Sequence, residues 1–340
     1  MPPPNEHEMA LRVAYIERRD ADTASIERVF RQVAETITTF GVVPAFQKLP
    51  YGNGFLDLLR NLLSFRPQDS DIYHITGHVH YIVLALRNRR TVLTIHDLGI
   101  LKNRSGLRKA LIKKLYFDWP IKRATAVTAI SDATKTDIVN SCGVAPDRIT
   151  VIENPLMTVR RSDAKPAFNV DRPRILHIGT APHKNLERTI EAVRDLACEL
   201  VIVGKLSSEQ VETLERHNIR YSNHPSLGDA EIAEQYFLAD LVVFCSTFEG
   251  FGLPIIEAQA ADTPVITSDL SPMKDVAGRG AMLVDPGDPV AIAEAVKAVV
   301  GDASMRSTLI EEGRMNLKRF APEKIALEYA KVYRRVMEEN

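Results

Sequence analysis

DLVVFCSTFEGFGLPIIEAQAADTPVITS, residues 240–268, reads as strand, turn, helix and strand in immediate succession. LVVFCS is apolar on both alternating faces, as a strand buried in the middle of a sheet must be. Gly250 and Gly252 break it with a turn, and Pro254 suits the opening of a helix, where its missing N–H costs nothing. PVITS then begins a second apolar strand. A strand, a crossover helix and another strand form the unit from which parallel α/β sheets are built.

The same alternation extends in both directions. Upstream, LRVAYIE, GVVPAFQ, DIYHITG, TVLTIHD and ATAVTAIS read as strands. Helical spacing runs from Thr23 to Phe40, with Asp22 or Thr23 available as a cap, and again over Phe55 to Ser64 and Leu107 to Phe117. From Met157 to Arg174 the periodicity lapses into a charged, proline-bearing stretch, which reads as an interdomain linker. It restarts with RILHIG, ELVIVG and DLVVFCS, separated by helices from Asn185 and from Asp229. The expectation is two doubly wound, Rossmann-like domains, 1–160 and 170–322, with a C-terminal helix at about 323–340 that packs back on the first. Such a pair implies a cleft, with ligands at the carboxyl ends of the strands.

A length of 340 residues suits two cores better than one. The formal net charge of −1 gives no global attraction to nucleic acid. Cys142, Cys198 and Cys245 are far apart and embedded in apolar segments, which reads as buried, reduced thiols. No stretch has the order of a signal peptide or the length of a membrane span, so a soluble cytoplasmic protein is expected.

Chemistry concentrates in two loops. In the opening stretch, the free amides of the helix after Gly252 can hold a phosphate. Glu249 in the turn and Glu257 on the helix would repel that anion unless they contact neutral hydroxyls, so sugar diols are their natural partners. A turn glutamate and a helix-dipole glutamate serving only the fold is the alternative. In HIGTAPHKNL, residues 177–186, a strand ends at Gly179, His183 and Lys184 occupy a short loop, and Asn185 can cap the next helix. His96 lies at the carboxyl end of a strand and, taken alone, is equally a structural histidine; Asp97 reads as a loop-ordering residue.

EGFGLPIIE resembles the E-x7-E signature of the retaining glycosyltransferases of family four, which have the GT-B fold. TIHDL (94–98), AISDATKTDIV (129–139), ENPL (153–156), HIGTAPHKNLERTIEA (177–192) and TPVITSDLSPMKDVAG (263–278) resemble that family in the same order. The resemblance implies that Glu249 contacts the transferred sugar, that Glu257 holds the donor ribose, that Lys184 neutralises the leaving diphosphate, and that His96 touches the transferring sugar. It further assigns donor contacts to Gly179, Thr180, His183, Gly250, Phe251, Gly252 and Leu253. His183 departs from the family's frequent arginine. The implied partners are a nucleotide-diphosphate sugar and a glycan or lipid-linked acceptor. The motifs do not fix the donor, GDP-mannose or a related GDP-sugar standing just ahead of UDP-sugars. A sugar phosphorylase, an epimerase or a silent sugar-nucleotide binding module on the same scaffold are the alternatives.

Two D-x-D triplets, Asp20 with Asp22 and Asp69 with Asp71, match a divalent-metal pattern of the other major glycosyltransferase fold. No further ligand-bearing residues accompany them, and they read as cap and turn residues. Neither a metal nor another cofactor is expected. The segment Lys102 to Arg123 carries eight basic residues against Asp118 alone. It offers a basic and apolar surface for peripheral docking on anionic lipid, or else a solvated helix with its apolar stripe buried.

Overall fold

The computed structural model describes residues 10–19, 25–52, 54–102, 104–157 and 165–338. They form two compact units: one runs to Pro155 and resumes at Phe320, and the other spans Leu156–Arg319.

The first unit is a six-stranded sheet of β1 (Leu11–Glu17), β2 (Val42–Lys48), β3 (Ile72–Ile75), β4 (Thr91–Ile95), β5 (Ala126–Ala129) and β6 (Ile149–Val151). All pairings are parallel, in the order β2-β1-β3-β4-β5-β6. Because strand side chains alternate, each strand feeds two layers. Ala14, Ile16, Ile75, Leu93, Ile95 and Val127 meet Leu58, Phe117, Ile121 and Ile138 in one apolar core. The opposite face is unusually polar and is closed by the C-terminal helix Pro322–Glu338, which buries Tyr329, Tyr333 and Val336. Tyr333 donates to Tyr15 (3.1 Å), so the Nδ1–H of His74 donates to Tyr333 (2.6 Å). The Nε2 of His74 then accepts from Thr94 (2.7 Å), whose hydroxyl lies 2.6 Å from that of Thr128. This chain crosses β1, β3, β4 and β5 and satisfies buried groups that would otherwise each carry a desolvation cost of about 1 to 3 kcal/mol.

In the second unit β7 (Arg174–Ile178), β8 (Glu199–Val203), β9 (Tyr221–His224), β10 (Leu241–Phe244), β11 (Val265–Ser268) and β12 (Met282–Val284) form another parallel sheet. Its order is β12-β11-β10-β7-β8-β9, so the winding direction reverses between β7 and β10. Its core joins Ile175, Leu200, Ile202, Leu241, Val243 and Ile266 to Leu186, Ile190, Ile292 and Val296 from the helices. The two sheets carry the α/β, doubly wound architecture expected from the alternation.

Several boundaries differ from the sequence reading. β6, β9 and β12 were not expected: each lies at a sheet edge, where half-exposure removes the need for an apolar run, and β9 reads YSNH. The first helix is Ser25–Ile37 followed by a 3-10 turn, Thr38–Phe40, and its candidate caps Asp22 and Thr23 lie outside the described residues. The helix expected from Leu107 to Phe117 is Gly106–Lys113 running into a π-helical turn, Lys114–Asp118. Of the expected linker, 158–164 lie outside the described residues, and Lys165 onward is bound to the second unit. Lys165 Nζ donates to the carbonyls of Tyr236, Phe237 and Ala261 and to Thr263 Oγ1, and Asp240 accepts the amides of Asn169 and Arg174. All three cysteines are free, Cys198 and Cys245 are buried, and burial raises their thiol pKa values.

Candidate active site

In open parallel sheets the loops at a winding reversal splay apart and leave a crevice at the carboxyl ends of the strands. In the second unit these are the loops after β7 and β10, the two singled out by sequence. They are stitched together: the Thr247 amide donates to the His183 carbonyl at 2.8 Å. Asn185 does not cap the following helix with its side chain, contrary to expectation. It adopts the left-handed conformation, φ 64°, and its amide donates to the carbonyls of Cys245 (2.9 Å) and Pro286 (2.8 Å). A cap would secure one helix; this arrangement ties three loops.

Between these loops Lys184 Nζ meets Glu249 Oε1 at 2.6 Å, with both side chains mostly shielded, 20% and 13% exposed. The ammonium also lies 4.9 Å from the centroid of the Phe244 ring, whose face attracts a cation. Gly179 makes the approach possible. Its φ is 91°, and a Cβ there would stand 2.8 Å from Lys184 Cγ, so the lysine stem runs directly over a bare backbone.

Gly252, φ 116°, sets the start of the helix Leu253–Ala260, with Pro254 in its first turn. Phe251 is 3% exposed, so its ring belongs to the core and only its backbone can meet a donor. Glu257 is buried on this helix and accepts a 2.7 Å hydrogen bond from the Tyr236 hydroxyl. Tyr236 was not anticipated. It lies in the helix Asp229–Leu238, where the sequence gives it no feature beyond an aromatic at a core position. Thr180 Oγ1 donates to the Lys205 carbonyl (2.7 Å), and the Thr180 carbonyl accepts from Gln210, fixing the rim of the first loop.

His96 belongs to the first unit, at the carboxyl end of β4. It is 4% exposed, and its Nε2 lies 2.7 Å from the Thr76 carbonyl. A carbonyl can only accept, so Nε2 carries the proton. Burial, with His78 adding to it, holds the ring pKa down to about 4, which keeps the imidazole neutral. Asp97 orders its loop as expected, accepting the Gly99 amide at 2.6 Å. Asp69 and Asp71 are both engaged by Arg12, at 3.0 and 3.5 Å, at the amino end of the sheet and away from any strand carboxyl end. Asp20 and Asp22 lie outside the described residues, and among those described no cluster of three His, Cys, Asp or Glu could hold a metal.

The geometry therefore joins a cation, a carboxylate and a helix start at one crevice, with a second buried carboxylate on that helix. The family model for glycosyl transferases group 1 matches residues 159–316, and that for glycosyltransferase family 4 matches residues 8–160. An O-antigen chain mannosyltransferase, RfbU of Salmonella typhimurium, is 28% identical over 284 residues, 75% of this chain and 78% of the relative. O-antigen chain mannosyltransferase B of Escherichia coli is 27% identical over 305 residues, 81% and 77% of the two chains. The sucrose-phosphate synthase structure from Thermosynechococcus elongatus superposes with a TM-score of 0.81 at 18% identity, covering 97% of this chain and 100% of the other. WaaG, a glycosyltransferase involved in lipopolysaccharide biosynthesis, gives 0.69 at 15% identity, covering 94% and 99%. Fold and site define a GT-B glycosyltransferase that uses a nucleotide sugar. The chain belongs to glycosyltransferase family four.

Proposed function

We propose that this enzyme is a retaining mannosyltransferase that moves a mannosyl residue from a GDP-linked donor to a hydroxyl of a surface glycan or its lipid-linked precursor. The observation that carries this reading is the Lys184–Glu249 pair at the winding reversal, beside the start of the Leu253–Ala260 helix. The mannosyl preference is drawn from the two O-antigen mannosyltransferases above. As the bond between the anomeric carbon and the phosphate oxygen breaks, its electron pair stays on the diphosphate. Lys184 and the helix amides stabilise that charge. The acceptor oxygen bonds to the same face of the sugar, and its proton passes to the departing phosphate oxygen. Glu249 hydrogen-bonds the sugar hydroxyls and Glu257 the ribose diol. Neutral His96, with Nε2 committed to Thr76, keeps Nδ1 as an acceptor at the carboxyl end of β4.

The direct test incubates the enzyme with GDP-mannose, UDP-glucose and UDP-galactose separately and determines the anomeric configuration of the product by NMR. Transfer from a UDP-sugar alone, or an inverted product, overturns the assignment. The charge work assigned to Lys184 and the helix makes the reaction independent of a divalent ion, a reading supported by the engagement of Asp69 and Asp71 with Arg12. Turnover should survive EDTA; loss that magnesium or manganese restores would show that a metal takes part.

Glu257 supplies a second prediction, since a nucleotide binds through its ribose even without the sugar. Glu257→Ala should weaken GDP binding by roughly one or two powers of ten, consistent with losing charged hydrogen bonds. Tyr236→Phe, which removes one hydrogen bond to Glu257 but keeps the carboxylate, should cost less, about three- to tenfold. Unchanged calorimetric affinity in Glu257→Ala would remove this residue from the ribose site.

Peripheral docking on anionic lipid completes the proposal. The helix Gly106–Lys113 has no fully buried residue; Ile112 packs against the core, whereas Leu107 is 90% and Leu111 48% exposed, so these two leucines are not spent on the sheet. Lys113 is held by Asp118 at 2.7 Å, leaving Arg108, Lys109 and Lys114 as the cations beside the leucines. Each cation at an anionic surface contributes about 1 kcal/mol. No helix among the described residues is long and apolar enough to cross a membrane. Flotation with phosphatidylglycerol vesicles should show binding at low salt that fades at high salt and falls in Lys109→Gln/Lys114→Gln. Failure of the wild type to float at low salt rules this surface out.

A further inference from the structure

At the amino-terminal edge of the first sheet, opposite the strand ends that carry His96, a second charged feature stands apart from the transfer chemistry. A concavity of about 730 Å3 is lined by Arg89, Arg90, Lys122 and Arg148, together with Ser70, Asp71 and Thr125. Lys122 also lines an adjoining concavity of about 410 Å3, with Arg87, Arg123, Leu84 and Trp119. The six cations arrive from three places in the chain: the turn before β4, the helix before β5 and the turn before β6. None has an ion-pair partner among the described residues. Arg89 makes only a distant contact with the Tyr73 ring, at 5.9 Å. The acid in the lining, Asp71, is already engaged by Arg12, which takes it with both its amide (2.8 Å) and its guanidinium.

In a chain of formal net charge −1, six cations without a free acid among them produce a local positive field and mutual repulsion. The fold gains nothing from their proximity, since none closes a pair. An anion with several charges relieves the repulsion and can take parallel N–H donors from more than one guanidinium. Thr125 Oγ1 accepts the Thr91 amide at 3.1 Å, which leaves its own hydroxyl hydrogen for an acceptor in the concavity. A single carboxylate is too small and too weakly charged to engage groups from three segments, whereas linked or clustered phosphates match both the volume and the charge.

We infer that this edge is a binding site for a phosphate-bearing polyanion, separate from the donor site in the other unit. A soluble oligophosphate and the phosphates of an anionic lipid surface share that chemistry, and two probes separate them. Sodium tripolyphosphate is titrated calorimetrically, and phosphatidylglycerol vesicles are used in flotation. Each is applied to the wild type, to Arg89→Gln/Arg90→Gln/Arg148→Gln, and to a charge-matched control on the second unit and C-terminal helix, Arg216→Gln/Lys297→Gln/Lys324→Gln. Arg90 is half-buried, the other five positions are exposed, and glutamine keeps each side chain polar, so both variants should fold. The edge variant should bind the preferred probe at least about tenfold more weakly, and the control by less than about twofold. GDP affinity should be unaltered in both. Tripolyphosphate binding identifies a soluble ligand. Vesicle binding lost in the edge variant but kept in Lys109→Gln/Lys114→Gln identifies a lipid headgroup clamp distinct from the leucine-bearing helix. Equal losses in edge variant and control, or a wild type that binds neither probe at low salt, overturn the inference.

Discussion

Lys184→Ala should lower turnover on the order of a hundredfold or more while weakening donor binding much less. The asymmetry follows from when the charge is needed. In the resting site Lys184 is neutralised by Glu249 at 2.6 Å, so its field is largely spent. As the diphosphate departs, negative charge accumulates on the phosphate oxygens, and a mobile ammonium that can turn from Glu249 toward them stabilises that charge most in the transition state. Removing Lys184 also leaves Glu249 shielded from water and unpaired beside the leaving group, which adds repulsion to the lost attraction. The double variant Lys184→Ala/Glu249→Gln should therefore bind donor better than Lys184→Ala alone, although turnover stays low because the sugar contact is gone. Steady-state kinetics with the cognate donor decide the matter. Near-normal turnover in Lys184→Ala would make it an ordinary surface lysine. A loss confined to donor KM would assign it to ground-state binding.

The residues of that pair were legible separately in the sequence, because each lies in a loop whose glycines and helix start mark it as a ligand loop. Their pairing was not, since it depends on two loop residues 65 positions apart being brought together where β7 and β10 become neighbours at the reversal of winding. Asn185 was misread for a similar reason: a helix-start asparagine signals a cap locally, whereas its actual acceptors, Cys245 and Pro286, come from distant loops. Tyr236 gave no signal, because an aromatic on a helix face reads as core whether or not its hydroxyl serves a carboxylate. Central strands were read from their apolar runs, and edge strands such as β9 escaped because half-exposed strands need no such run. The helix Ser208–Arg216 was not among the expected elements, although the structure forms a full capping box there between Ser207 and Gln210.

Acidification from about pH 7.5 to about pH 5 should destabilise the first unit steeply, before any carboxylate of ordinary pKa is protonated. Three of its histidines are buried and neutral: burial, with neighbouring imidazoles adding to it, holds His74 and His80 down to about 3 and His96 to about 4. In the unfolded chain these rings titrate near 6.5. Between those values the unfolded state binds more protons, so their stabilising contribution is complete above about pH 6.5 and is lost as pH falls toward 3 to 4. With three groups, the slope near pH 5 approaches about 4 kcal/mol per pH unit. Glu17 opposes this, because burial raises its pKa and protonation relieves it, but it is one group against three. His74 makes the effect structural as well as electrostatic. Its Nε2 accepts from Thr94, and a proton there breaks the chain that ties Tyr333 of the C-terminal helix to the sheet. In the second unit His177 is in this state, held to about 4, and one such group against three means that unit should unfold later. Trp119 is the single tryptophan and lies in the first unit, so its fluorescence in urea reports that unit, while ellipticity at 222 nm reports both. At about pH 5 the fluorescence midpoint should fall well below its neutral value and precede the ellipticity change. Coincident transitions at both pH values, with an unmoved midpoint, would show that the histidines titrate freely in the folded chain and that the buried network does not hold the C-terminal helix in place.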